Sequence, residues 1–454
     1  MTQKISNNIK KGVSGFRGIY PDPLSPEFVL KLSMAIGTFF KGKPIVLGTD
    51  TRLSRDVLAS TVIAGLTSCG CDVHYLGVVP TPTVEVNVLK YKAGAGIIIS
   101  ASHNPAEWNA LKIVGSDGCF LTQDKINKII SIFETGRFMF KPFDRTGRKF
   151  YKKDGVKNHI ENIIQNKFSK RFINISQIKK RSFSICIDAV NGAGYKAIPE
   201  FLTEIGIKKI KVLNDDPNKK FAHIPEPTKQ NLKSTLKYLH GKKFDLCFVV
   251  DPDADRLAII SDKGEYISEE FTQALAAFSY LEYKRGPIVT NLSSSMLMDY
   301  VAEEYRVPIY RSKVGEANVV EMMKAKRAVI GGEGNGGVIW PDAHYGRDSL
   351  AGMFLILDLL SRKKIKLSEL IKNFPEYIIM KAKKYSETGY VDIGKIKKEF
   401  PDCGIDETDG IKLLLKNAWV HIRASATEPV VRVIAESTTQ KQVKDLINKV
   451  LTLI

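Results

Sequence analysis

Three closely spaced aspartates follow an apolar run in the middle of the chain. The run Phe244–Val250 is apolar apart from one aspartate and predicts a mostly buried strand. In an extended loop after this strand, Asp251, Asp253 and Asp255 would point the same way. Converging carboxylates repel one another unless a cation neutralises them, and hard oxygen ligands suit Mg²⁺. The position at a strand end favours a metal site over a solvated acidic loop, with Arg256 available for a phosphoryl oxygen.

A second polar turn follows a shorter apolar run, Ile97–Ile99, which predicts a buried strand. The strand stops at Ser100 and Ser102, followed by His103 and an Asn-Pro pair that cannot continue a sheet. In an extended backbone the two serine side chains would point the same way. A hydroxyl at a strand end beside a histidine is a candidate nucleophile, and an ordinary strand-to-loop turn is the alternative.

A loop near the C-terminal end combines arginines with hydroxyl groups. Arg423, Ser425 and Thr427 alternate into this loop, and Arg432 follows it. Guanidinium groups and hydroxyls together supply the charge and the hydrogen-bond donors that a phosphate monoester requires. A surface hairpin is the alternative interpretation of this segment.

Other candidate ligand-binding residues stand in glycine-rich loops or near strand ends. Glu333 and Asn335 lie in a run of glycines, and a carboxylate and an amide are typical partners of sugar hydroxyls; a plain glycine turn is the alternative. Arg17 lies in a glycine-rich loop and offers a forked donor for phosphate, unless the loop is only a flexible turn. Lys112 and Lys313 fall close to strand ends, although isolated lysines are usually solvated.

The segments that must position these residues alternate between strands and helices, which predicts α/β domains with largely parallel sheets. Residues 26–40 show the helix period, and Ser54 is the predicted N-cap of the next helix. Ser349–Leu360 is a strongly apolar helix, expected between layers, and the lysine-rich stretch beyond Arg362 is the expected linker. From Ala418 the pattern alternates and predicts a smaller α+β domain.

The composition limits the classes of partner. The 454 residues are enough for three or four domains, and 68 Lys and Arg against 49 Asp and Glu give a net charge of +19. This balance suggests an anionic partner, but the lysines are scattered and no basic stripe with interleaved aromatics is present, which argues against nucleic acid. The N-terminal segment lacks an apolar signal region, and no apolar run reaches the length of a membrane span. We therefore expect a cytoplasmic protein with reduced, mostly buried cysteines.

Four of these stretches occur together, in this order, in one family. The chain resembles the α-D-phosphohexomutases, the group that contains phosphoglucosamine mutase and phosphomannomutase/phosphoglucomutase. The resemblance extends from Gly15-Phe-Arg-Gly18 to Arg432. Its motifs are Ser100-Ala-Ser-His-Asn-Pro105, Asp251-Pro-Asp-Ala-Asp-Arg256, Gly332-Glu-Gly-Asn-Gly336 and Arg423-Ala-Ser-Ala-Thr-Glu-Pro429.

The resemblance implies a four-domain architecture, with three similar α/β domains and a smaller C-terminal α+β domain around a central cleft. The expected domains are 1–152 with the phosphoserine loop, 153–261 with the metal-binding loop, 262–368 with the sugar-binding loop and 374–454 with the phosphate-binding loop. The family interconverts hexose 6-phosphates and hexose 1-phosphates through a phosphoserine and a hexose 1,6-bisphosphate. The expected partner is a small phosphosugar, with no nucleic acid and no membrane, and the expected state is a monomer or homodimer.

The resemblance also implies residue roles. Ser102 would carry the phosphoryl group, and one Mg²⁺ per chain would lie between its phosphate and the three aspartates. The other residues implied to be catalytic are Arg17, His103, Lys112, Arg256 and Lys313. Those implied to bind the sugar or the non-reacting phosphate are Glu333, Asn335, Arg423, Ser425, Ala426, Thr427 and Arg432.

The chain departs from the family pattern at three places. Ala110 stands where the family usually has glycine, and Ala426 stands where glycine or asparagine is frequent. Asn335-Gly-Gly337 replaces a frequent Ser-Gly-His, so a histidine sometimes assigned to proton transfer is absent. Lys313, His103 and Lys112 are therefore the alternatives for acid/base chemistry.

Three functional hypotheses remain at this point. The first is a phosphosugar mutase that prefers glucosamine phosphate, with phosphomannomutase/phosphoglucomutase activity as the alternative within the class. The second is an aspartyl-phosphate phosphatase, because Asp251-x-Asp253 follows a strand as such nucleophiles do. The third is a basic nucleic-acid-binding protein, against which the positioned carboxylates argue.

Overall fold

The computed structural model describes residues 5, 8–13, 15–386, 388–424 and 430–454. These residues form four β-sheets with helices packed against them. None of the helices among these residues combines the length and the apolarity that crossing a lipid bilayer requires. The first three sheets contain parallel strands, and the fourth is antiparallel, as the α/β and α+β patterns of the sequence predict.

Domain I contains a seven-stranded sheet with helices on both faces. In chain order its elements are β1 (Lys10–Gly12), β2 (Gly15–Ile19), α1 (Pro26–Phe39), β3 (Ile45–Thr49), α2 (Arg55–Ser68), β4 (Val73–Val78), α3 (Thr81–Lys90), β5 (Ala95–Ile99), β6 (Trp108–Gly115), α4 (Gln123–Thr135) and β7 (Lys149–Tyr151). The strand order is β1-β2-β6-β5-β3-β4-β7, and β3 pairs in parallel with β4 and β5. Ile97 and Ile99 pack on the side of α1, α2 and α4, whereas Ile98 packs on the side of α3, because alternate residues of a strand face opposite sides.

Domain II contains a five-stranded mixed sheet. Its elements are α5 (Gly155–Ile164), α6 (Lys167–Phe172), α7 (Ile175–Arg181), β8 (Ser184–Asp188), α8 (Gly194–Glu204), β9 (Lys209–Leu213), α9 (Lys233–Leu239), β10 (Leu246–Val250), β11 (Leu257–Ile260) and β12 (Tyr266–Ile267). The order is β12-β11-β10-β8-β9, with β8 parallel to β9 and β10. The segment with the three aspartates connects β10 to β11.

Domain III contains a four-stranded sheet and the most deeply buried helix. Its elements are α10 (Glu270–Leu281), β13 (Ile288–Asn291), α11 (Leu297–Glu304), β14 (Ile309–Ser312), α12 (Glu316–Lys326), β15 (Ile330–Glu333), β16 (Gly337–Ile339), α13 (Ser349–Lys363) and α14 (Leu367–Leu370). The order is β14-β13-β15-β16. Helix α13 is buried from Ser349 to Ser361, and its side chains join the apolar residues of domains II and III into one core, as expected for a helix between layers.

Domain IV is a five-stranded antiparallel sheet with two helices. Its elements are β17 (Ile378–Tyr385), α15 (Ile393–Glu399), β18 (Gly404–Asp406), β19 (Ile411–Leu415), β20 (Ala418–Ala424), β21 (Val430–Ser437) and α16 (Gln440–Leu453), and the strand order is β17-β21-β20-β19-β18. Its apolar residues form a core separate from that of domains II and III. The domain boundaries given by the sequence patterns stay predictions.

One local prediction holds only in position, and another is wrong. Ser54 is the N-cap residue of α2, as predicted, but its side chain makes no cap hydrogen bond and instead accepts one from the amide of Asn109. The lysine-rich stretch beyond Arg362 is not only a linker, because Leu367 and Leu370 are buried in the core that domains II and III share. In both cases a tertiary contact overrides a local pattern.

Candidate active site

The three aspartates lie in a buried turn at the carboxyl end of β10. One oxygen from each of Asp251, Asp253 and Asp255 lies within 4.8 Å of the others, and all three side chains are fully buried. The predicted extended loop is wrong, because the amide of Ala254 donates to the carbonyl of Asp251 at 3.0 Å and Ala254 has a positive φ of 50°. A tight turn, rather than strand-like alternation, therefore brings the carboxylates together.

Neighbouring groups compensate the charges of these carboxylates unequally. Lys112 Nζ donates to Asp253 at 2.5 Å, and the hydroxyl of Thr81 donates to the same oxygen at 2.6 Å. Burial opposes ionisation of Asp253, but Lys112 outweighs it and lowers the pKa of that carboxyl. Burial, followed by repulsion from Asp255 and Asp253, raises the pKa of Asp251 well above its ordinary value.

The free oxygens of this cluster fit a divalent cation. The buried Oδ1 atoms of Asp253 and Asp255 accept no hydrogen bond from any residue that the structure describes. A buried carboxylate oxygen without a donor is costly, and a bound cation removes that cost. Oxygen-only ligands are those that Mg²⁺ prefers, so the residues present suit the ion that the sequence predicts.

Ser102 lies directly beside the cluster. Its hydroxyl donates to Asp251 Oδ2 at 2.7 Å, although 149 residues separate the two along the chain. The predicted extended arrangement of the serines is wrong, because Ser102 adopts a left-handed φ of 51° and its amide donates to Ser100 Oγ at 2.9 Å. In this turn the Ser102 hydroxyl points at the aspartates, whereas the Ser100 hydroxyl accepts a backbone hydrogen bond that holds the loop.

The side chain of Arg52 holds the backbone of the serine loop in place. Its guanidinium donates to the carbonyls of Ser102 and Asn104 at 2.8 and 2.7 Å and pairs with the buried Asp50. Asp50 and Arg52 follow β3, which lies next to β5 in the sheet. Two adjacent parallel strands, β3 and β5, thus bring the serine loop and its supporting Asp50 and Arg52 to the same edge of the sheet.

His103 and two arginines place basic groups around the serine loop and the aspartate turn. His103 Nδ1 lies 3.3 Å from Ser102 Oγ, and Arg17 donates to Asn104 in the same loop. Burial and the charges of nearby arginines, Arg256 first among them, lower the pKa of His103 well below its ordinary value. Arg256 Nε lies 3.8 Å from Asp255 and 4.0 Å from Asp251. These surroundings favour the neutral form of the His103 imidazole.

Arg347 links the aspartate turn to the glycine-rich loop of domain III. Its guanidinium donates to Asp255 at 2.6 Å, to Glu333 at 2.7 Å and to Glu316 at 3.0 Å. Glu333 also accepts hydrogen bonds from the Gly315 amide and the Asn291 side chain. Burial opposes ionisation of Glu333, but Arg347 leads the groups that outweigh it and lower its pKa.

The unusual glycine in this loop has a packing reason. A Cβ atom added at Gly337 would lie 2.3 Å from Cδ of Arg347. The stem of Arg347 thus occupies the space that a side chain at position 337 would need. Asn335 remains beside Glu333, with its amide 3.5 Å from the carboxylate.

Domain IV contributes two arginines that pair across neighbouring strands. Arg423 and Arg432 are direct cross-strand partners on β20 and β21. Arg423 lies 3.5 Å from Asp409, which accepts a hydrogen bond from the Val314 amide of domain III. Ser425, Ala426 and Thr427 lie outside the described residues. Lys313 is exposed at the end of β14, next to Val314.

The residues that sequence reasoning missed are Arg52, Thr81 and Arg347. Arg52 carried a signal, because an Asp-x-Arg sequence follows the short apolar run Ile45–Leu47. Arg347 precedes Asp348, whose side chain caps the apolar helix α13, so a helix start in domain III was its only sign. Thr81 begins α3, and its amide and hydroxyl both bind Asp253.

Comparison with known proteins assigns the family. Profiles of the phosphoglucomutase/phosphomannomutase alpha/beta/alpha domains I, II and III match residues 8–140, 157–264 and 270–377, and the C-terminal domain profile matches residues 378–453. A phosphoglucomutase/phosphomannomutase of Thermococcus kodakarensis is 34% identical over 444 residues, covering 96% of each chain. A phosphoglucosamine/phosphogalactosamine mutase of Sulfurisphaera tokodaii is 32% identical over 452 residues, covering 96% of this chain and 97% of its own.

A solved structure agrees on the fold. The phosphoglucomutase/phosphomannomutase family protein of Burkholderia thailandensis superposes with a TM-score of 0.82 at 22% identity, covering 98% of this chain and 96% of its own. The resemblance drawn from four motifs and the four-domain fold expected from it are both confirmed. Because all four domains match in order and close relatives cover nearly the whole length, the chain belongs to the phosphoglucomutase/phosphomannomutase family of phosphohexomutases.

Proposed function

We propose that the protein is a phosphohexose mutase that interconverts hexose 6-phosphate and hexose 1-phosphate and prefers glucosamine phosphate. The observation that carries this proposal is the contact between the Ser102 hydroxyl and Asp251, 2.7 Å apart, within a cluster of three buried carboxylates. A serine beside a cation site can be phosphorylated and can pass the phosphoryl group on. No third residue of a hydrolase triad accompanies His103 among the contacts described for it.

In the proposed reaction, the bond between phosphorus and Ser102 Oγ breaks as a sugar hydroxyl oxygen forms a bond to phosphorus from the opposite side. The product of this step is a hexose 1,6-bisphosphate, and its other phosphoryl group then returns to Ser102 after the sugar reorients. Mg²⁺ held by Asp251, Asp253 and Asp255 would neutralise charge on the transferring phosphoryl oxygens. Arg17 and Arg256 lie close enough to the serine loop to bind the same oxygens.

Proton transfer needs a group at each end of this in-line arrangement. His103 Nδ1, 3.3 Å from Ser102 Oγ, is placed to accept the Oγ proton as that oxygen attacks the bisphosphate, and to return the same proton when Oγ leaves in the next cycle. The sugar hydroxyl lies on the far side of phosphorus, so its base must come from another loop. We assign it to Lys313, which lies two residues before Gly315, a donor to Glu333. Lys112 is less suited because it is paired with Asp253.

Sugar binding is assigned to Glu333 and Asn335. Three groups hold the Glu333 carboxylate, namely Arg347, Asn291 and the Gly315 amide, and they favour its ionised, acceptor-only form. Such a carboxylate accepts hydrogen bonds from sugar hydroxyls and attracts the ammonium group of glucosamine. The relatives named phosphoglucosamine mutase, such as the Methanocaldococcus jannaschii protein at 30% identity over 454 residues, support the same substrate.

The non-reacting phosphate is assigned to domain IV. Arg423 and Arg432 present two guanidinium groups side by side, and the loop residues Ser425, Ala426 and Thr427 connect their strands. A forked pair of arginines suits a phosphate dianion. The phosphate at C1 and the phosphate at C6 must bind to this arginine pair in turn, because the two phosphates exchange places during the reaction.

Turnover on the 1-phosphates of glucosamine, glucose and mannose, with the matching 1,6-bisphosphate as activator, tests the proposal. We expect the highest kcat/KM on glucosamine 1-phosphate. Equal rates on glucose and mannose with none on glucosamine would replace the first choice by phosphomannomutase/phosphoglucomutase. Release of inorganic phosphate without isomerisation would point to the aspartyl-phosphate phosphatase instead.

A further inference from the structure

A second cluster of possible metal ligands lies apart from the three aspartates. It consists of His159 on α5, His344 in the loop between β16 and α13, and Asp348 at the start of α13. These side chains are 0%, 4% and 0% exposed by residue, and one ligand atom from each lies within 4.8 Å of the other two. The Nε2 atoms of His159 and His344 lie 2.9 and 3.1 Å from the same oxygen, Asp348 Oδ2.

The other ring nitrogen of each histidine faces a side-chain oxygen of α3. The hydroxyl of Thr83 lies 2.9 Å from His159 Nδ1, and Glu85 Oε2 lies 3.5 Å from His344 Nδ1. Histidines that bind metals through one nitrogen characteristically hold a hydroxyl, carbonyl or carboxylate with the other, which fixes the ring. The contacts of Thr83 and Glu85 therefore give this cluster the outer layer of a metal centre.

The Glu85 carboxylate is the part of this region that the protein alone leaves unsatisfied. Glu85 is 1% exposed, and neither of its oxygens, nor His344 Nδ1, has a hydrogen-bond partner among the described residues. The backbone closes over it, because a Cβ atom added at Gly346 would lie 1.8 Å from Glu85 Oε2. Glu85 and Asp348 thus place two carboxyl groups in one buried region, where uncompensated charge is expensive.

We propose that His159, His344 and Asp348 bind a structural divalent transition-metal ion of the Zn²⁺ type, with Glu85 and Thr83 as outer partners of the two imidazoles. Two neutral imidazole nitrogens and one carboxylate oxygen favour such an ion over Mg²⁺, which prefers oxygen ligands alone. One divalent charge balances the carboxylates of Asp348 and Glu85. His344 Nδ1–H then donates towards Glu85, which supplies the missing partner to both groups.

The location indicates what this ion does. Thr83 and Glu85 belong to α3 of domain I, His159 to α5, and His344 and Asp348 to domain III. Helix α3 begins with Thr81, which binds Asp253 in the active site. The metal would therefore join α5 to the start of α13 directly, and would hold α3 through Thr83 and Glu85. Because the ligands are buried, the ion would have no path to substrate and would act on stability and on the relative positions of the three domains.

The first experiment uses the full-length protein, stripped of metal with a chelator and then dialysed against Co²⁺ in the presence of a large excess of Mg²⁺. Mg²⁺ competes for the all-oxygen aspartate site, so the Co²⁺ that remains reports on the histidine site. We expect one retained equivalent, the intense visible absorption of cobalt with nitrogen ligands in low coordination, and a higher Tm. No retained Co²⁺, or only the weak absorption of an all-oxygen site, would overturn the proposal.

Matched variants locate the ion. His344→Gln and His159→Gln each remove one ligand and keep a polar side chain, whereas Asp253→Asn alters only the aspartate cluster. We expect each histidine variant to lose the retained metal and its contribution to Tm, and Asp253→Asn to keep both. Metal retained by both histidine variants, or lost only in Asp253→Asn, would refute the assignment. If a histidine variant fails to fold, the wild-type cobalt spectrum still decides, since a pure hydrogen-bond network gives none.

Discussion

The substitution Arg347→Ala removes a cation that three carboxylates share. Its guanidinium donates to Asp255, Glu333 and Glu316 at 2.6 to 3.0 Å, and the residue is 8% exposed. The three carboxylates raise the pKa of Arg347 well above its ordinary value, against the opposing effect of burial. The side chain therefore stays charged at every pH at which the protein is folded.

The expected cost follows from burial. Removing one partner of a buried ion pair costs about 3–5 kcal/mol, because the remaining charge has no compensation. Lys397→Ala is the matched control: Lys397 Nζ lies 2.7 Å from Glu407, but the two side chains are 40% and 49% exposed. An exposed pair at this distance contributes about 1 kcal/mol or less.

Urea unfolding followed by circular dichroism measures both variants. We expect Arg347→Ala to lower the free energy of unfolding of the joint core of domains II and III by about 3–5 kcal/mol at neutral pH. The pKa of Glu333 is lowered in the folded protein, so its ionised carboxylate contributes fully to the free energy of unfolding above the ordinary pKa of 4.5. This contribution is lost as the pH falls from that value through the lowered pKa of the folded state. The deficit of the variant should shrink in the same direction. Equal losses for Arg347→Ala and Lys397→Ala would refute the reasoning.

Three further outcomes are expected. Gly337→Ala should cost about 1–3 kcal/mol in urea unfolding and raise KM, because the new Cβ atom displaces Arg347 from Glu333; an unchanged KM would contradict this. His223 lies 3.3 Å from Asp188, which outweighs the effect of burial and raises the pKa of the histidine. The contribution of this pair to stability is therefore present at low pH and is lost as the pH rises through the raised pKa. His223→Gln should lower Tm at about pH 6 and leave it unchanged at about pH 9. Removing divalent cations with EDTA should abolish turnover and excess Mg²⁺ should restore it, and turnover that survives EDTA would count against the aspartate site.

The sequence predicted the parts of the site that are local. An apolar run followed by alternating aspartates marks a strand end with converging carboxylates, and the structure brings Asp251, Asp253 and Asp255 together at the end of β10. The route differs from the prediction, because a turn with a left-handed Ala254 replaces the extended loop. Periodicity gives the position of the residues, but a turn conformation depends on contacts that form only in the fold.

The parts that were missed depend on distant contacts. Arg347 is 92 residues from Asp255 in sequence, and nothing near it signals that it joins two loops. His159 is 189 residues from Asp348, and a single histidine on a helix is usually an ordinary core residue. The apolar sequence of α13 predicts its burial between layers, but nothing in that local sequence shows that its partners come from both domain II and domain III.

The central claim is that Ser102 carries the phosphoryl group. Intact-mass analysis with peptide mapping, after incubation with glucosamine 1,6-bisphosphate and Mg²⁺, tests it directly in wild type and Ser102→Ala. We predict that the wild-type protein gains the mass of one phosphoryl group, located on Ser102, and that Ser102→Ala gains none. Phosphorylation of Asp251, or a phosphorylated protein that persists in Ser102→Ala, would contradict the account.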